Sequence, residues 1–147
     1  MRKFRIKAIT IIEILTTLII ISILAALALP QFTATRERSL SKEARANLKL
    51  IDAAEKIYRM EEGFYYPYSG SVNSAIDAER QGIYSYLKLA ITPAAAVKNW
   101  DYNITGNSGS SYSSVADRTG SGGYLNCQYE MNNTAAEPTS VTGTGCP

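Results

Sequence analysis

The 147-residue chain contains no histidine. That removes Ser-His-Asp and Cys-His catalysis, histidine-containing zinc sites and the zincin motif. Its 13 acidic residues are scattered, apart from the adjacent Glu61 and Glu62, which read as a solvated helix end. Neither a P-loop nor a GxGxxG stretch is present. The chain is therefore not expected to be an enzyme, and no cofactor or metal is expected. One acid stands in a setting that asks for an explanation. Glu13 heads an uncharged stretch covering positions 14 to 35. A carboxylate within such a stretch costs ~2.5–3.5 kcal/mol at mid-bilayer on insertion scales. At headgroup level it costs little, so Glu13 alone fits either a functional or an interfacial role.

The elements around Glu13 narrow the choice. Arg2, Lys3, Arg5 and Lys7 precede an apolar run from Ile14 to Leu29. With its uncharged flanks the run reaches the ~20 residues that cross a hydrocarbon core, and the cations would hold the N-terminus on the cytoplasmic side. A second reading competes. Ala26-Leu27-Ala28, with Pro30 close behind, has the form of a secretory cleavage site, which would release a soluble protein beginning at Leu29. The overall charge of +2 combines 15 basic with 13 acidic side chains. Without the four leader cations, 15 − 4 = 11 basic residues remain against 13 acidic ones. No clustered basic face of the kind nucleic-acid binding requires is legible, and no nucleic-acid partner is expected.

Beyond Pro30, apolar residues recur at Leu40, Ala44, Leu48, Ile51, Ala54 and Tyr58, the spacing of one helical face. The positions between them, including Arg36, Glu37, Arg38, Lys42, Asp52, Glu55 and Lys56, predict a charged opposite face. Pro30 lacks an N–H and predicts a kink or a loosened turn. Gly63 predicts the end of the helix. Ser74 is expected to cap a second helix within 74–90 presenting Ile76, Ile83 and Leu87. Strands are expected around Trp100, Tyr102 and Ile104, over Tyr112 to Arg118, and around Leu125, Cys127, Tyr129 and Met131, with turns at 106–109 and 120–123. The expected fold class is α+β: a long N-terminal helix on a three- or four-stranded antiparallel sheet. The tail from Asn132 to Pro147 is expected to lack regular structure.

The stretch Ala8-Ile9-Thr10-Ile11-Ile12-Glu13-Ile14-Leu15, continuing to Leu29-Pro30-Gln31-Phe32, resembles the N-terminus of type IV pilins and type II secretion pseudopilins. The likeness is strong over roughly residues 1–60, and Gly63-Phe64-Tyr65-Tyr66-Pro67 resembles an element that follows the long helix in that family. The resemblance implies a leader cut between Ala8 and Ile9, with N-methylation at Ile9. Glu13 then becomes the fifth mature residue and Pro30 the twenty-second, as the family pattern has them. Ala8 stands where glycine is usual and Ile9 where phenylalanine is usual. The implied parts are a leader (1–8), a transmembrane and filament-core helix (9–35) and a pilin head (36–147).

In that framework Glu13 would pair with the terminal ammonium of Ile9 in a neighbouring subunit, acting as a register device, because an unpaired carboxylate in an apolar setting is costly. Pro30 would mark a point that can melt. Cys127 and Cys146 would close the tail onto the last strand. Export favours a disulfide there, worth about 3 kcal/mol in the chain-entropy model, the alternative being two free thiols. The implied partners are further copies of the chain, a prepilin peptidase, an inner-membrane platform protein, an assembly ATPase and, before assembly, the lipid bilayer. A pilus subunit is the leading reading, a type II secretion pseudopilin the second, and a soluble binding module cut after Ala28 the third.

Overall fold

A computed structural model describes residues 9–91, 99–119, 124, 126–141 and 145–147, with the backbone but not the side chain of Pro30. The leader with Ala8, the 120–123 turn and Leu125 lie outside the described residues. Helix α1 covers Ile11–Glu62, and the chain divides into two compact units, Met1–Arg36 and Glu37–Pro147.

In the first unit, α1 runs without interruption and its side chains are exposed nearly throughout. Ile11 is 87% exposed, Leu27 68% and Phe32 69%. A run this long and apolar can cross a membrane by length and composition.

The second unit contains the rest of α1, helix α2 (Asp77–Leu87) and strands β1 (Gly70–Asn73), β2 (Trp100–Asn107), β3 (Ser111–Arg118), β4 (Gln128–Asn132) and β5 (Thr139–Ser140). The strands form an antiparallel meander in the order β1-β2-β3-β4-β5. Burial alternates strictly along β3 and β4, so one sheet face is dry. Trp100, Tyr102, Ile104, Tyr112, Ala116, Tyr129 and Met131 bury there with Ala44, Leu48, Ile51 and Ala54 of α1. The α+β class and the helix-on-sheet arrangement are as the sequence implies.

Gly63 ends α1 at φ +87°, its N–H donating to Arg59 O at 2.9 Å, a left-handed helix stop. Gly106 has a different reason. A Cβ there would lie 1.6 Å from Pro67 O, so β2 and the loop after α1 approach as only glycine allows. The Tyr66–Pro67 peptide in that loop is cis. The turn from β2 to β3 is 108–110 rather than 106–109, since Gly106 and Asn107 pair within the sheet, and Ser108 and Gly109 are at positive φ.

Five expectations need correcting. The sheet has five strands, because the loop after α1 and the tail each add an edge strand too short to show alternation. The tail is therefore not wholly irregular. Ser74 does not cap α2. The cap position is Ile76, without a side-chain cap, and the buried Ser74 hydroxyl instead accepts the Tyr102 N–H at 2.8 Å. Ile83 and Leu87 are buried as expected, but Ile76 is 50% exposed. Finally, the charged face of α1 is not uniformly solvated, since Glu37, Asp52 and Glu55 are buried.

Candidate assembly segment and the polar network of the head

The assembly segment begins with Thr10. Glu13 N–H donates to Thr10 O at 3.2 Å and to Thr10 Oγ1 at 3.3 Å, so Thr10 caps the first turn of α1. Thr10-x-x-Glu13 has the spacing of a capping box, a local sequence signal for this helix start. Glu13 thus occupies the first helical turn, where the helix dipole favours a negative charge. Among the described residues its carboxylate has no ion-pair partner. Ile9, just ahead, is 69% exposed.

The few polar side chains inside the apolar stretch are satisfied within it. Thr16 Oγ1 donates to Glu13 O at 3.0 Å, Thr17 Oγ1 to Ile14 O at 2.8 Å, and Ser22 Oγ to Leu18 O at 2.7 Å. These hydroxyls need no water, the condition for placing them in lipid or among apolar helices. The helix passes through Pro30 in one piece.

Within the head, three buried acids tie α1 to the sheet and to the loop after the helix. Glu37 receives a two-pronged bond from Arg118, Nη2 to Oε1 at 3.1 Å and Nε to Oε2 at 3.2 Å. The same guanidinium lies 5.7 Å from the Trp100 ring centroid and donates to the carbonyls of Asn99 and Thr119. Asp52 accepts the Tyr112 hydroxyl at 2.6 Å and Lys56 at 2.7 Å. Burial and that bond to Asp52 push the Tyr112 phenol well above its usual range.

Glu55, fully buried, accepts the Tyr66 N–H at 2.9 Å through Oε2, while its Oε1 has no hydrogen-bond partner. Burial raises the Glu55 carboxyl to about 8, the Tyr66 N–H pulling it down and nearby Asp52 pushing it further up. Tyr102 is raised to about 12 by burial, although Asn47 donates to its hydroxyl at 2.7 Å. Spacing could not reveal this network, because its partners come from α1, the loop and β3.

Around it, Tyr58 packs edge-on against Phe64, Tyr66 and Tyr86, and Arg59 lies over the Tyr65 ring while donating to its hydroxyl at 2.9 Å. Cys127 and Cys146 form a disulfide with Cα atoms 4.7 Å apart. Cys127 lies just before β4 rather than in it, and Val141 N–H donates to Gln128 O at 3.0 Å, so the bridge and β5 together hold the tail on the sheet. Among the described residues no three His, Cys, Asp or Glu side chains gather into a metal-binding group. The acids act as ties between elements.

A long helix, apolar and exposed in its first half and packed on an antiparallel meander in its second, with a disulfide-closed tail, is a pilin-like fold. One curated protein matches in sequence. Over 93 residues, 63% of this chain, it is 34% identical to the type IV major pilin protein PilA of Myxococcus xanthus (strain DK1622). The chain spans 41% of that protein's length. The resemblance to type IV pilins read from the N-terminus is borne out by this likeness. No family model matches the chain, and no solved structure does.

Proposed function

We propose that this chain is the structural subunit of a type IV pilus, held in a membrane by residues 9–35 until it polymerises through them. The observation that carries this reading is the apolar half of α1. It is exposed nearly throughout, internally hydrogen-bonded, and led by a glutamate four residues after Ile9. Exposed apolar surface on this scale needs a partner, and a bilayer followed by neighbouring copies supplies one in both states. The similar protein is a major pilin by name, which favours a pilus over a secretion pseudopilus.

In this reading residues 1–8 are removed between Ala8 and Ile9 by a prepilin peptidase, and Ile9 is N-methylated. The N-terminus faces the cytoplasm during storage. A platform protein and an assembly ATPase then drive the subunit into a surface filament. Glu13 sets the height of each new subunit by pairing with the Ile9 ammonium of its neighbour, because a carboxylate stranded among apolar helices is penalised. Pro30, which withholds one helical hydrogen bond, gives the filament a place to yield.

The Glu13 role is tested by counting subunits in sheared filaments. Glu13→Gln should be processed and stored normally yet be depleted at least tenfold from filaments. Incorporation equal to wild type would refute the pairing.

A further inference from the structure

The described lysines and arginines separate sharply by whether the fold uses them. Arg45 donates to Pro138 O, Lys49 pairs with Glu137, Lys56 with Asp52 and Arg80 with Asp77. Arg59 bonds Tyr65, Lys88 the Ser85 carbonyl, and Arg118 is paired with Glu37. Arg36, Arg38 and Lys42 have no such partner among the described residues, and all three are exposed. They fall within seven residues, directly after the uncharged stretch ends at position 35.

Neither acidic neighbour pairs with them among the described residues. Glu37 is turned inward and consumed by Arg118. Glu43 is exposed and lies about 100° round the helix from Lys42. Arg38 and Lys42, one turn apart, therefore present two uncompensated cations on one face of α1. A free cation has a low cost in water, but of the seven other described cations four pair with acids and three bond carbonyls or a hydroxyl, and the exception follows the apolar stretch directly in sequence. Arg38 and Lys42 follow position 35 by three and seven residues, a helical rise of about 4.5 and about 10 Å, against a headgroup layer of about 5–7.5 Å on one side of a bilayer. Long basic side chains can also bend their heads toward that layer.

We propose that Arg38 and Lys42 bind the phosphodiester groups of anionic phospholipids while the subunit is stored in the membrane, fixing its depth before assembly. The inference rests on the membrane-span reading above. Each cation near an anionic surface contributes a few-fold preference, on the order of fivefold at most.

The test uses the mature full-length chain reconstituted in phosphatidylcholine vesicles containing spin-labelled phosphatidylglycerol or spin-labelled phosphatidylcholine. Electron spin resonance reads the fraction of label immobilised at the protein. Wild type should favour phosphatidylglycerol several-fold. Arg38→Gln/Lys42→Gln should lower that preference to what Arg36 alone contributes, and Arg45→Gln/Lys49→Gln should keep it. Inorganic phosphate should reduce it no more than chloride at equal ionic strength.

Equal preference in the Arg38/Lys42 variant would overturn the proposal, and so would equal loss in the Arg45/Lys49 variant. Stronger competition by phosphate than by chloride would make this a site for free phosphate instead. If the Arg38/Lys42 variant kept its lipid preference but failed to enter filaments, the cations would belong to a contact between copies. A chain that did not enter vesicles of either lipid would overturn the span reading, and this inference with it.

Discussion

Replacing Glu55 by glutamine isolates the effect of a carboxyl that the fold buries without fully satisfying. Its surroundings are Asp52 and Tyr58 on α1, Tyr66 on the loop and Tyr112 on β3. None supplies a positive charge to it, so the folded state prefers the neutral acid. Its carboxyl is raised from 4.5 to about 8. The stability that neutral Glu55 allows is complete below about pH 4.5 and is lost as pH rises to about 8. Denaturant unfolding of the full chain in detergent should show this decline, amounting to at most about 5 kcal/mol. Glu55→Gln should flatten it and make the variant the more stable protein at pH 8. An unchanged pH profile would show that Glu55 is not the group responsible. Glu13 contrasts with Glu55. It is exposed and capped by Thr10, and among the described residues it has no charge partner.

At the scale of elements, the ties between α1 and the sheet are unequal. Cutting the Glu37–Arg118 pair on one side strands a buried charge, so Glu37→Ala should cost about 3–5 kcal/mol. Glu37→Met/Arg118→Leu should recover much of that loss, and thermal unfolding would distinguish the two. Cys146→Ser removes the closure of the tail and should cost about 3 kcal/mol, with faster hydrogen exchange at Val141, whose N–H holds β5 to β4.

What the sequence made legible follows from period and length. The dry stripe of α1 and strand β2 announce themselves because many residues repeat one pattern, whereas β3 is fainter because Ser114 and Arg118 stand on its buried face. β1 and β5 are too short for alternation, and both form only because a neighbouring strand offers an edge. Ser74 misled because its hydroxyl is equally suited to a helix cap and to a distant backbone amide, and tertiary contact decided for Tyr102. The acids Glu37, Asp52 and Glu55 looked solvated because nothing local marks a charge whose partner is 81 residues away, as Arg118 is from Glu37. Glu13 was legible from its isolation, whereas its cap by Thr10 went unread although the spacing was in plain view.

For the whole molecule, the two halves of α1 have different obligations. Residues 37–62 bury their stripe within the head and need nothing further. The apolar half buries almost nothing in a single chain. Removing residues 1–8 takes four cations from one end of the span and leaves a free ammonium at Ile9, the complement that Glu13 lacks. All of this turns on a single peptide bond. Intact-mass spectrometry of filaments sheared from the cell surface addresses it directly. The account predicts a chain of 147 − 8 = 139 residues beginning at Ile9, with the disulfide intact. A soluble protein of 147 − 28 = 119 residues beginning at Leu29, and absent from filaments, would contradict it.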